Sequence, residues 1–157
     1  MNFDSDFDEV LSAFAKAAVD FMIVGGAAVN FHGFDRNTSD LDLWINPVEE
    51  NKQKIYSALV SMGYHVQDAR FIMDIDFSIP QCIKLGEPPH TMDIMTHMVG
   101  LKYEEANALK IPFQTVNDYT VYFIHYSHLV INKMIAGRPK DKIDVEELQK
   151  IIQFKKP

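Results

Sequence analysis

The stretch from Gly25 to Ile45, GGAAVNFHGFDRNTSDLDLWI, constrains this chain more than any other. Its end, DLDLWI, reads as a strand in which carboxylates alternate with leucines. Successive side chains of a strand point to opposite faces, so Asp40 and Asp42 share one face while Leu41 and Leu43 take the other. Carboxylates side by side repel each other unless a cation, a shared proton or solvent relieves them. Upstream, Gly25 and Gly26 close the apolar run DFMIV. A glycine pair after a strand is a tight turn, or a place where backbone N–H groups approach a phosphate at the start of a helix. No Gly-Lys-Ser/Thr follows and no G-x-G-x-x-G spacing is present, so neither common phosphate-binding fingerprint accounts for it.

A metal site needs more donors than one strand supplies. The run TMDIMTH places Asp93 between Met92 and Ile94 in a second apolar strand, from which it can meet Asp40 and Asp42 on one face. Asp74 and Asp76, in MDIDF, compete for the third position. Hard oxygen donors with no fixed histidine pair suit Mg²⁺ or Mn²⁺ rather than zinc. The single cysteine, Cys82, excludes an internal disulfide framework and a cysteine-cluster zinc site.

The rest of the chain reads as a mixed α/β or α+β domain, a mixed β-sheet flanked by helices with a helical C-terminal segment. Apolar residues at helical spacing over 6–19 predict an amphipathic helix, and DFMIV predicts the strand before the glycines. A short helix is expected over 27–33, another over 47–62 opened by Pro47 and ended near Gly63. FIMDIDFSI and TMDIMTH read as strands separated by the turn-prone LGEPPH. IPFQTVNDYTVYFI reads as extended, HYSHLVINKMIAG as a helix ended by Gly137, and KDKIDVEELQKIIQF as a final helix. With no linker or repeat, the 157 residues are expected to form one domain, its core about 1–124 and its helical segment about 125–157.

Charge is uneven. The chain carries a net charge of −7, which argues against general attraction to nucleic acid or anionic membranes. Yet 133–157 holds Lys133, Arg138, Lys140, Lys142, Lys150, Lys155 and Lys156 against Asp141, Asp144, Glu146 and Glu147. This basic segment is a solvated helix or a local site for a polyanion such as a triphosphate. No apolar run reaches bilayer length and no signal peptide opens the sequence, so a cytoplasmic protein without a membrane partner is expected.

The order of these features resembles the signature of the polymerase-β-like nucleotidyltransferase superfamily: an apolar strand, Gly-Gly, a spacer, Asp-x-Asp between apolar residues, and a later Asp. Within it, RNTSDLDLWI and NKMIAGRPKDKIDVEEL are similar to segments of small bacterial enzymes related to the AbiE-type (AbiEii) toxin nucleotidyltransferases. The resemblance implies transfer of a nucleoside monophosphate from an NTP to an acceptor hydroxyl, with Mg²⁺ or Mn²⁺ held by Asp40, Asp42 and Asp93. It implies a nucleotide site made by Gly25, Gly26, Arg36, Thr38, Lys133, Arg138, Lys140 and Asp141. The acceptors it implies are a tRNA end, a protein side chain or a small molecule, and an antitoxin is a possible partner.

Read from the residues alone, some of these positions have plainer roles. Arg36 can pair with Asp35 or Asp40. Asp141 stands where an N-cap belongs, with Asp144 in the first turn of the helix. His90 and His97 flank Asp93 at the cleft mouth. The competing functional class is a nucleotide- or partner-binding module on the same fold without catalysis.

Overall fold

A computed structural model describes residues 3–155. Lys156 of the basic segment lies outside the described residues, as do Met1, Asn2 and Pro157. The elements run α1 (Ser5–Lys16), β1 (Phe21–Ile23), α2 (Gly25–Phe31), β2 (Asp40–Ile45), α3 (Glu49–Ser61), α4 (Val66–Ala69) and α5 (Phe71–Asp74). They continue with β3 (Cys82–Leu85), β4 (Thr91–Met95), α6 (Tyr103–Asn107), β5 (Ile111–Gln114), β6 (Thr120–Phe123), α7 (Tyr126–Ala136) and α8 (Pro139–Lys155).

The strands form one mixed six-stranded sheet in the order β3-β4-β2-β1-β6-β5. β2 lies at its centre, antiparallel to β1 and parallel to β4. That position explains its composition. Leu41, Leu43, Trp44 and Ile45 are all buried, and only the end bearing Asp40 and Asp42 opens to solvent. Trp44 anchors the closed end, its Nε1 donating to the Thr96 carbonyl at 3.2 Å and its ring meeting Tyr103 edge-on at 5.1 Å. The Tyr103 hydroxyl donates in turn to Asp20 Oδ1 at 2.9 Å, which ties α6 to the start of β1.

α2 begins at the glycine pair itself and is short, because Gly33 with φ +113° turns the chain back toward β2. Phe31 leaves its end to stack on Phe123 of β6 at 4.1 Å, an interaction that seats α2 on the sheet. α7 ends in Gly137, whose φ of +63° gives the left-handed cap expected of it.

Two readings from sequence need correction. FIMDIDFSI is not a strand but the short helix α5 followed by a turn. Ile72 and Phe77 are buried, Lys52 of α3 lies 4.9 Å over the Phe77 ring, and Asp74 and Asp76 face solvent. Asp76 accepts from Ser78 N at 2.9 Å and Ser78 Oγ at 2.6 Å, a side-chain turn that ends any extended path. The antiparallel neighbour of β4 is instead Cys82–Leu85, hidden in sequence by its brevity. α3 starts at Glu49 rather than at Pro47.

Leu43 is fully buried in the central strand. Leu43→Ala is expected to lower the unfolding free energy by about 2–5 kcal/mol, measured by denaturant titration.

Candidate active site

The parallel pairing of β2 and β4 sets Asp42 directly opposite Asp93, and Asp40 opposite Thr91. Parallel neighbours in register share a face, so the two aspartates that sequence brought forward from separate strands stand side by side. β3 extends the row, with Lys84 opposite Asp93 and its Nζ 3.4 Å from Asp93 Oδ1. Asp76 lies elsewhere, exposed in its turn. Asp40 is more open and is held by Thr91 Oγ1 at 2.7 Å and Ser39 Oγ at 3.2 Å, both donating to its Oδ1.

Gly25 takes φ +59°, and any Cβ on it would overlap the Asp42 carboxylate. The backbone thus comes flush against the acid, which only glycine permits. Gly26 supports the neighbouring loop: a Cβ there would come 2.6 Å from Thr38 Oγ1 and 2.9 Å from Arg36 Nη2. Burial, with the adjacent Asp93 charge second, raises the Asp42 pKa above its ordinary value, against partial relief from the Gly26 N–H and Lys140. The Asp40 charge, whose repulsion the alternation led one to expect, contributes least to that rise.

A cleft of about 570 Å³ opens over these acids, within the usual range of small-ligand sites. One wall holds Gly25, Gly26, Arg36, Thr38, Asp40, Asp42 and Asp93. The facing wall comes from α7, the link after it and the start of α8, with Lys133, Arg138 and Lys140 respectively. His97 borders the cleft, whereas His90 pairs with Asp4 at 3.2 Å and does not. Sequence reasoning missed Met95, Met98, Val99 and Asn132, which also line the cleft and carry no charge pattern to mark them.

The basic residues are not equivalent. Among the described residues Lys140 has no carboxylate within ion-pair reach, so its charge is free to face the cleft. Lys133 borders the cleft, yet its ammonium is buried between Asp141 and Asp144, at 3.2 and 2.7 Å. α8 opens at Pro139, which places Asp141 in its first turn rather than at the cap. Its carboxylate reaches back to the Arg138 N–H at 3.2 Å, the acid half of a capping box. Burial alone would raise the Asp141 pKa, but hydrogen bonds from Arg138 and Lys133 outweigh it and hold the group below its ordinary value. Asp144 lies one turn further on, buried, and pairs with Arg36 at 3.0 Å, where Asp35 and Asp40 had been the expected partners.

Among the described residues, no group of three or more His, Cys, Asp and Glu is gathered closely enough to hold a metal ion unaided. None of their helices is long and apolar enough to cross a membrane.

A mixed sheet carrying paired aspartates beside a glycine turn, under a basic helical wall, agrees with the resemblance read from the sequence. The chain belongs to the family described as nucleotidyltransferase of unknown function (DUF6036), which it matches over residues 1–155. No curated protein matches the chain significantly.

The Asp42 shift has a consequence for stability. A carboxyl whose folded pKa exceeds its unfolded value, here 3.8, favours the folded state most when protonated, and that contribution is lost as pH rises through the folded pKa. Asp42→Asn is therefore expected to melt higher than wild type at pH 7, with the gain vanishing below the unfolded pKa. Thermal melts across that pH range measure it.

Proposed function

We propose that this chain transfers a nucleoside monophosphate from an NTP to an acceptor hydroxyl and releases pyrophosphate. The observation that carries the reading is the in-register pair Asp42 and Asp93, set against Gly25 on one wall and facing Lys140 and Arg138 on the other. The acceptor oxygen would bond to the α-phosphorus as the bond to the pyrophosphate oxygen breaks, and Asp93 would take the acceptor proton. Lys140, Arg138 and Arg36 would balance the polyphosphate charge, the arginines by forked contacts. Lys133 and Asp141 would serve the nucleotide through the frame they build for Arg138.

The donor set fits Mg²⁺ or Mn²⁺. Mg²⁺ is commonly bound through one or two carboxylates together with substrate phosphates, rather than in an all-protein cage. Asp42 and Asp93 offer such a pair, and the buried Asp93 Oδ1 has no hydrogen-bond donor, only the Lys84 ammonium at 3.4 Å. Asp40 would join as the third ligand only as the acids draw together around the ion. The ion would polarise the phosphate and lower the pKa of the acceptor hydroxyl.

Within this reading the chain is an AbiE-type transferase. ATP binding, a toxin-antitoxin role and an antitoxin partner rest on that kinship alone. The candidate acceptors are a tRNA end, a protein side chain or a small molecule. The overall acidity weighs against a broad RNA contact, because phosphate contacts call for a basic surface.

The test is incubation with Mg²⁺, each labelled NTP and members of the three acceptor classes. Asp42→Ala and Asp93→Asn are expected to cut transfer at least about a hundredfold, the effect of losing a few kcal/mol of transition-state stabilisation. Asp76→Asn should stay within about twofold of wild type, as surface changes usually do. Binding of NTP without transfer to any acceptor would identify a non-catalytic module instead, and label released only as free monophosphate would identify a hydrolase.

A further inference from the structure

Charged side chains form one alternating run from wall to wall of the cleft. Arg36 Nε lies 3.0 Å from Asp144 Oδ1, an ion pair whose N–H axis is off line for a hydrogen bond. Lys133 Nζ donates to Asp144 Oδ2 at 2.7 Å and to Asp141 Oδ1 at 3.2 Å. Arg138 closes the run, its Nε donating to Asp141 Oδ2 at 2.6 Å and its Nη2 to Asp141 Oδ1 at 3.1 Å. The interior members, Asp144, Lys133 and Asp141, are buried. The ends border the cleft, with the Arg36 side chain 23% and the Arg138 side chain 58% exposed.

Stability is a poor explanation for such a run, because desolvating its members offsets much of their attraction. Placement is a better one. Arg36 is gripped at both ends of its side chain. Asn30 clasps its backbone, Nδ2 donating to the Arg36 carbonyl at 2.9 Å and Oδ1 accepting from its N–H at 3.2 Å. Beyond Nε, its Nη2 comes close enough to Gly26 that no Cβ would fit comfortably there. Among the described residues, neither Nη of Arg36 nor Nη1 of Arg138 has a protein hydrogen-bond partner. The run holds three cations and two carboxylates, so one positive charge is left uncompensated, and both of its open ends are guanidiniums facing the cleft.

We infer that Asp144 is a positioning residue of the nucleotide site: it fixes Arg36 beside Gly26, opposite the Arg138 that Asp141 holds, and so presets one arm of a two-arginine clamp for the polyphosphate. The inference rests on the nucleotidyltransferase reading of the same cleft. Ordering both guanidiniums before the ligand arrives removes an entropic cost that flexible arginines would meet on binding. Asp144 itself touches no phosphate. Its influence passes through Arg36, and this separates a positioning role from a general structural one.

The experiment is a double-mutant cycle on binding of inorganic triphosphate in the presence of Mg²⁺, by calorimetry. Arg36→Gln and Asp144→Asn are each expected to raise Kd about tenfold, while Asp144→Asn in the Arg36→Gln background adds less than about twofold. In the transfer assay Asp144→Asn should raise the KM for NTP with kcat little changed. Unchanged affinity in Asp144→Asn, or effects that simply add, would overturn the inference. If circular dichroism shows that Asp144→Asn does not fold, Asp144→Glu and Arg36→Lys replace it, since one displaces the carboxylate and the other removes the fork. Both must then weaken binding, and wild-type affinity in both would equally overturn it. Wild-type protein that binds no triphosphate would sink the nucleotide reading together with the clamp. Wild-type binding that Arg36→Gln leaves intact would sink the clamp alone.

Discussion

The in-register parallel pairing of β2 with β4 governs the rest of this structure. A shift of one residue would turn Asp93 to the opposite face and send Met92 or Ile94 into the cleft, because side chains alternate at every step. The register is held by burial on the far face, where Leu41, Leu43, Met92 and Ile94 are all enclosed. Trp44, bonded to the Thr96 carbonyl just past β4, fixes it from the closed end. The hydrophobic core therefore does not merely support the acids. It dictates that they meet.

From that meeting the other features follow. Two carboxylates forced together in a half-enclosed site leave Asp42 with a raised pKa and a standing demand for positive charge. Lys84 answers from the edge strand, and Lys140 answers across the cleft. The glycine pair lets backbone pass where a side chain would displace the acid. The basic wall is built differently. Its surplus charge is carried by residues whose neighbours are buried aspartates, so that an acidic chain presents a locally cationic surface.

What was legible in the sequence is what depends on local pattern. Alternation in DLDLWI gave the shared face of Asp40 and Asp42, whereas Asp93 and Asp76, both flanked by apolar residues, are told apart only by the fold. The left-handed cap at Gly137 was readable for the same reason. Long-range partners were not. Asp144 looked like a first-turn acid completing a helix dipole, and nothing near it in the chain announces Arg36 as its partner. Asn30 sits in an otherwise apolar short helix, a faint sign that its amide is engaged, but its clasp on Arg36 appears only once the loop turns back. The FIMDIDFSI segment shows the reverse error, an alternation produced by a turn and a helix rather than by a pleat.

The order in which the walls enter the chain has a bearing on synthesis. The glycines and the first acids come early, Asp93 follows a long excursion, and Asp144 comes in α8. Pairings between segments so far apart in sequence form late in folding, since loop closure must precede them. A chain emerging from the ribosome would carry the aspartates well before it carried the carboxylate that orders Arg36. Its acid wall would be made before the basic wall that faces it.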